Sequence, residues 1–254
     1  MAQKTMTATQ DYSKDFLVLD RNYESIRSYI KHISQGKLRS LIINGPPGVG
    51  KTVMTNQFLQ ENSTNYKSVT GHMTLMSLYA MLYEYRNPGD VLVLDDVDSV
   101  FSSIEGLNIL KAAMDTTRQR HINWESSSTL LKNLGIPTSF DFNGGVVLIT
   151  NVGFDATRGK AHVHLSALKD RSYWVRVSDG TQESRYKQVV YMTYKKGLLD
   201  SYGFTTKEQV HILDYIGEHI QDIPQLSLRT VIKCADIYQL EPNNFEELAQ
   251  GAWQ

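Results

Sequence analysis

The chain has 254 residues, 41% of them hydrophobic and 21% charged, with a formal net charge of −1. This composition fits a soluble globular protein of one large or two modest domains, and the near-neutral balance excludes a global electrostatic footprint for nucleic acid or anionic membrane. A single cysteine, Cys234, excludes an internal disulfide framework, and no apolar run approaches membrane length, so a cytoplasmic protein with no membrane contact is expected.

In chain order, the polar residues 1–15 are expected to form a flexible or partner-dependent arm. The apolar run Phe16-Leu17-Val18-Leu19 precedes a first helix whose Tyr23, Ile26, Ile30 and Ile33 share one face, with Gly36 as its stop. Leu41-Ile42-Ile43 reads as a strand that ends in the loop Gly45-Pro46-Pro47-Gly48-Val49-Gly50, and a helix beginning at Lys51-Thr52 is expected to bury Val53, Phe58 and Leu59. Residues 66–73 read as a strand, and Leu75, Leu78, Tyr79 and Leu82 as a helix stopped by Asn87-Pro88-Gly89. Residues 91–94 form a continuous apolar run of the kind buried on both faces of a parallel sheet. A helix over 104–116 turns Leu107, Leu110 and Met114 inward. Residues 118–145 interrupt the pattern with two short strand signals, 121–124 and 140–142, around a small excursion. Residues 146–149 form a second buried-strand run, and 173–177 a further strand. From residue 183 the pattern turns helical, over 185–199, 206–219 and 227–238. Strands alternating with helices, then helices alone, predict an α/β domain with a parallel sheet followed by a small α-helical one.

The chemistry is concentrated at three predicted strand ends. Gly45 to Thr52 fits G-x-x-x-x-G-K-[ST] between a strand and a helix, the context in which this pattern binds nucleotide phosphates. Gly45, Gly48 and Gly50 permit backbone angles that let successive N–H groups converge on an anion. Lys51 is expected to reach the β/γ-phosphates and Thr52 to offer its hydroxyl to Mg²⁺, with Pro46, Pro47, Val49 and Val53 completing the ATP-binding set. The second strand end delivers Asp95, expected to hold Mg²⁺ through water, and Asp96, expected to orient the attacking water or take its proton. The third delivers Thr150-Asn151, whose Asn151 can hydrogen-bond the γ-phosphate or that water.

Ala167-Leu168-Lys169-Asp170-Arg171, taken with these elements, resembles the AAA+ ATPase superfamily of P-loop NTPases over roughly residues 16–240. The resemblance implies a nucleotide-binding α/β domain over 16–182, with an insertion at 118–145, and a helical lid over 183–254. By that resemblance Arg171 is the arginine finger, with Arg158 as alternative. Arg229, in the first turn after Ser227, looks like the lid's second sensor. A cation in a first turn sits poorly with the helix dipole unless an anion faces it. Most relatives place Glu at the position of Asp96, so its shorter arm implies slow hydrolysis. The Asp pair is similar to that of bacterial replication initiators and helicase loaders, and Gly71-His72-Met73-Thr74 with Thr150-Asn151 resembles ATPases encoded by phages and prophages.

The resemblance further implies a ring or helical homo-oligomer, a hexamer first, whose channel loops act on nucleic acid. The candidates are residues 71–76 and residues 118–132, the latter with Arg118, Arg120, His121, Trp124 and Lys132. Three alternatives stand beside this. A polypeptide-remodelling ATPase would favour an aromatic where Met73 and Met76 flank Thr74. A small-molecule P-loop kinase would be a monomer with a mobile Arg-rich lid, whereas Asn151 and the Ser227–Arg229 element point to the oligomeric machine. An ATP-gated binding module with weak hydrolysis is consistent with Asp96.

Overall fold

The computed structural model describes residues 5–97, 100, 103–124, 129–151 and 166–253. The chain falls into two compact units, one comprising Tyr23–Gly45 and Lys51–Arg176, the other Met1–Asn22, Pro46–Gly50 and Val177–Gln254.

The first unit is built on β-strands that in chain order are β1 (Ser40–Asn44), β2 (Tyr66–Thr70), β3 (Val91–Asp95), β4 (His121–Asn123), β5 (Ser139–Asp141), β6 (Gly145–Thr150) and β7 (Tyr173–Arg176). Five of them form one parallel sheet in the order β2-β3-β6-β1-β7. The apolar runs of β1, β3 and β6 are buried at every position, as strands covered on both faces require. Asn44 lies opposite Thr150, and Asp95 opposite Ile149. The three central strands therefore end level, and the residues after them emerge at one sheet edge, where open α/β sheets bind ligands.

Helix α1 (Ser13–Ser34) contributes its later turns to this unit, with Ile26, Ile30 and Ile33 fully buried as their spacing predicts. It stops at Gly36, which takes φ +69°. The helix starts at Ser13, so Phe16-Leu17-Val18-Leu19 is a helical turn rather than a separate run before it, and Leu17 and Val18 face solvent. Helix α2 (Lys51–Glu61) buries Phe58 and Leu59, but Val53 is 73% exposed. The expectation of a buried Val53 fails because Met54 and Thr55, one and two positions on, carry the inward face. Helices α3 (Leu75–Glu84) and α4 (Ile104–Ala113) begin on Thr74 and Ser103, whose side chains accept from backbone N–H groups in the first turn. Leu78, Tyr79, Leu82, Leu107 and Leu110 then pack on Leu92 and Leu148 in one core.

Residues 118–145 form the predicted excursion: β4 and β5 pair antiparallel, with the short helix α5 (Thr129–Asn133) between them. Two of its expected surface groups are structural. Arg120 is buried, donating to the carbonyls of Ala113 at 2.6 Å and Gly144 at 2.8 Å, with its guanidinium over the Phe142 ring. Burial pulls its pKa down to about 10. Trp124 packs against Tyr79 and the core, its ring centroid 5.4 Å away. A cation that satisfies two buried carbonyls cannot also meet a polyanion. Arg118, His121 and Lys132 remain exposed, His121 paired with Asp141 at 2.9 Å.

The second unit contains α6 (Gln182–Lys196), α7 (Thr206–Glu218), α8 (Leu228–Leu240) and α9 (Phe245–Ala249). Helix α7 opens on a capping box between Thr205 and Glu208, and α6 ends on Gly197 at φ +66°. Tyr186, Val190, Leu213, Ile216, Val231 and Cys234 form its core. Burial pushes the Cys234 thiol up to about 12, marking a packing residue rather than a nucleophile.

Residues 5–15 are not a loose arm. Met6, Ala8 and Tyr12 lie in this same core, the Ala8 amide donates to Asp214 Oδ1 at 2.6 Å, and the Met6 amide reaches the Gly217 carbonyl at 3.4 Å. A Cβ on Gly217 would collide with the Met6 carbonyl oxygen, so α7 carries glycine where the N-terminal strand of chain crosses it.

Candidate active site

At the sheet edge, the groups that follow β1, β3 and β6 are joined by hydrogen bonds. Lys51, the first residue of α2, is 6% exposed; its Nζ donates to the Gly45 carbonyl at 2.8 Å and to Asn151 Oδ1 at 2.7 Å. Asn151 Nδ2 in turn donates to both carboxylate oxygens of Asp96, each at 2.7 Å. The Thr52 hydroxyl donates to Asp95 Oδ2 at 2.6 Å. The sequence-predicted Lys51, Thr52, Asp95, Asp96 and Asn151 thus form two linked sets, a Lys51–Asn151–Asp96 relay and a Thr52–Asp95 pair. The latter offers two hard oxygen donors close together, which suits Mg²⁺ completed by phosphate oxygens and water.

Asp96 adopts φ +52°, a conformation that non-glycine residues seldom take and that Asp tolerates better than most. Its amide donates to the Ile149 carbonyl at 3.0 Å, so the chain turns sharply off β3 while still pairing toward β6. Such an outlier at a strand end is the kind of strain that accumulates at functional positions.

Burial raises the Asp95 carboxyl above its ordinary pKa; the Thr52 hydrogen bond pulls it back, Asp96 raises it and Lys51 lowers it. A carboxyl raised in the folded state takes up protons on folding, so the stability it lends is present at low pH and is lost as pH climbs through the folded value. Asp95→Asn is therefore expected to raise the melting temperature of the nucleotide-free protein at neutral pH, with the gain shrinking toward acid. On the role expected of Asp95, holding Mg²⁺ through water, ATPase activity should fall by on the order of a hundredfold. Thermal melts at several pH values check the first, and Mg²⁺-dependent turnover the second.

Within the helical unit, the loop tip is held from the C-terminal helices. The Leu228 amide donates to the Gly48 carbonyl at 2.8 Å, and Gln188 Nε2 to the Val49 carbonyl at 3.0 Å. Gly48 takes φ +72° and Gly50 φ +88°. A Cβ on Gly48 would lie 2.5 Å from the Cβ of Ser227, so this glycine is required by close approach as well as by angle. Gly45 does not use the positive-φ region, which narrows the expected set of three permissive glycines to two. Pro46 and Pro47 are half-buried beside them. Gln188 and Leu228 escaped the sequence reading; the available signal was a polar residue set among the buried Tyr186, Val189 and Val190 of α6.

The two arginines are placed differently. Arg171 stands outside the bonded set: its Nε meets Asp115 Oδ2 at 3.4 Å and its Nη1 donates to the Ala167 carbonyl at 2.9 Å. Arg229 is exposed in the first turn of α8, with no ion pair among the described residues. Arg158 lies outside the described residues. In the stretch 71–76, Gly71, His72 and Thr74 face solvent while Met73 is buried.

The sequence model of the ATPase family associated with various cellular activities (AAA) matches residues 41–151, from β1 to Asn151. An uncharacterised 36.7 kDa protein of Enterobacteria phage T4, from the nrdC–mobD intergenic region, is 34% identical over 226 residues, covering 86% of this chain and 69% of that protein. The Holliday junction branch migration complex subunit RuvB of Streptococcus agalactiae is 26% identical over 131 residues, 46% of this chain and 39% of that one. Among solved structures, the Thermotoga maritima RuvB branch migration motor superimposes with TM-score 0.55 at 12% identity, covering 91% of this chain and 68% of its own. Domain III of the Thermotoga maritima replication initiation protein DnaA does so with TM-score 0.55 at 15% identity, covering 92% and 91%. At these identities the structural likeness is one of fold. The match over Leu41 to Asn151, the parallel sheet with its phosphate loop and acidic strand end, and the phage relative together make this chain a member of the AAA ATPases: a nucleotide-binding P-loop ATPase related to phage proteins.

Proposed function

We propose that this ATPase is a homo-oligomer, a hexameric ring first, that hydrolyses ATP with Mg²⁺ at subunit interfaces to load, remodel or move on nucleic acid. The observation that carries the reading is the Lys51–Asn151–Asp96 relay beside the Thr52–Asp95 pair. Lys51 neutralises the β/γ-phosphates, Thr52 offers its hydroxyl to Mg²⁺, Asp95 holds the ion through water, and Asp96 orients the attacking water with Asn151 fixing its carboxylate. Bound Mg²⁺ supplies charge neutralisation on the phosphates. Arg171 enters the neighbouring subunit's site, and Arg229 senses the γ-phosphate. Val53, exposed one residue past Thr52, contributes to the proposed ATP-binding set.

Support for nucleic acid comes from RuvB and DnaA among the similar proteins, and from solvent-facing Arg118, His121, Lys132, Gly71, His72 and Thr74. A net charge of −1 leaves each subunit only a sparse basic patch, and repetition around a ring is what would make it effective. The proposed setting is the cytoplasm of a bacterium or a phage-infected host; among the described residues no helix is long and apolar enough to cross a membrane.

A second reading, an ATP-gated module with slow hydrolysis, is favoured by one feature. Both Asp96 oxygens are already occupied by Asn151, on an arm one methylene shorter than that of Glu. ATPase rate and particle size, measured with and without single- and double-stranded DNA across a salt series, separate the readings. The proposal expects DNA to stimulate turnover at least several-fold, with binding that weakens steeply as salt rises. Neither stimulation nor salt-dependent binding would sink the nucleic-acid assignment and leave the gated module.

A further inference from the structure

Gln188 stands in the middle of α6 and is 2% exposed. Its Nε2 donates to Val49, but its Oε1 is buried and meets no hydrogen-bond donor among the described residues. A buried acceptor without a partner weighs against the folded state, and an apolar side chain of similar length would carry no such penalty. Stability alone therefore argues against an amide at this position, and the bond to Val49 is what it offers in return.

The consequence of that bond follows from peptide geometry. In a trans peptide, a carbonyl and the N–H of the next residue point in opposite directions. Fixing the Val49 carbonyl on Gln188 turns the Gly50 N–H to the other side of the loop. Fixing the Gly48 carbonyl on the Leu228 amide does the same for the Val49 N–H. With Gly48 and Gly50 both at positive φ, successive N–H groups face one side, the arrangement that cradles an anion.

We propose that Gln188, together with the Leu228 amide, is a positioning residue for the phosphate loop. It touches no phosphate; it holds the loop's N–H groups turned toward the triphosphate before nucleotide arrives. Preorganisation of this kind strengthens binding by removing an ordering cost. The inference rests on the loop's role in ATP binding, which Lys51→Ala tests separately.

Gln188→Met keeps length and packing and removes the donor. The expected result is a KM for ATP, and a Kd for a fluorescent ATP analogue, raised about tenfold, the scale of one hydrogen bond, with kcat within about twofold and a melting temperature at or above wild type. A merely structural role would instead lower the melting temperature and leave KM in place, and that outcome overturns the proposal. Gln188→Glu adds a pH readout: as a neutral acid it can donate to Val49, and as a carboxylate it cannot. Its affinity relative to wild type at the same pH should recover toward acid. Leu228→Pro removes the second donor at the first helical position, where proline is accepted, after a Ser227 already extended at φ −152° and ψ 169°; it should raise KM in the same direction. If Gln188→Met and Leu228→Pro both bind ATP as wild type does while Lys51→Ala does not, the loop reading stands and the positioning role falls.

Discussion

Lys51→Ala is expected to abolish ATP turnover, with a loss of at least about a thousandfold, the scale reached when a preorganised charge at a developing anion is removed. Lys51 is buried at the start of α2, and its ammonium lies between the Gly45 carbonyl and Asn151. In the proposed role that ammonium turns to the phosphates when ATP binds, so the substitution should remove attraction in both the ground state and the transition state. ATP affinity should fall along with kcat, which distinguishes it from a change at Asp96 alone. The alanine side chain also releases Asn151 from one of its two partners, leaving Asp96 less firmly oriented. Lys51→Arg keeps the charge but brings a broad planar fork into a space fitted to a point charge, and should recover little. Steady-state turnover and equilibrium binding of a fluorescent ATP analogue measure the two effects. Turnover near wild type from Lys51→Ala would break the assignment of the site.

Arg171→Ala should eliminate hydrolysis while leaving ATP binding intact, a loss of about 10³–10⁵ if the guanidinium acts as a finger. The structure makes this test clean. The Arg171–Asp115 pair has both side chains about one-third exposed and contributes at most about 1 kcal/mol, and the Nη1 bond to the Ala167 carbonyl adds about as much, so a thermal melt separates a folding loss from a catalytic one. Any large drop in turnover then reports on chemistry. Asp96→Asn is the matching partner, since Asn also accepts the positive φ that Asp96 adopts. Mixing the two inactive proteins should restore part of the activity if sites are shared between subunits. An Arg171→Ala subunit brings an intact Asp96, and an Asp96→Asn subunit brings an intact Arg171. Dead mixtures of properly assembled protein, or full activity of Arg171→Ala by itself, would remove Arg171 from the neighbouring site.

The sheet and its site were legible because they rest on short-range signals. β1, β3 and β6 are buried on both faces and so appear as unbroken apolar runs; β3 ends on Asp95 with Asp96 next, β6 is followed by Asn151, and β1 leads into the loop before Lys51 and Thr52. Those runs place Asp95, Asp96 and Asn151, and the Gly45–Thr52 motif places Lys51 and Thr52. The exposed Val53 and the early start of α1 are local matters of helix phase and boundary, whereas the larger failures involve long-range partners. Arg120 looks like a surface cation until the carbonyls of Ala113 and Gly144 are placed around it. Met6, Ala8 and Tyr12 are too widely spaced among polar residues to register as a packing face, yet they meet side chains some 180 residues later. Gln188 lies in an apolar stripe with nothing nearby in sequence to say that its partner is Val49.

The helical unit is assembled from both ends of the chain, with Met6, Ala8 and Tyr12 filling a core whose other walls are α6, α7 and α8. During synthesis the sheet has all its strands once Arg176 has emerged, while the N-terminal segment must wait for α7 to be made before Ala8 can find Asp214. Contacts spanning more than two hundred residues form late because a long loop must close first. A ribosome-bound chain stopped once Arg176 has cleared the exit tunnel but before α7 has should therefore have a protease-resistant sheet and an N-terminus still open to cleavage, so the ATPase is expected to mature in two steps set by the order of its own translation.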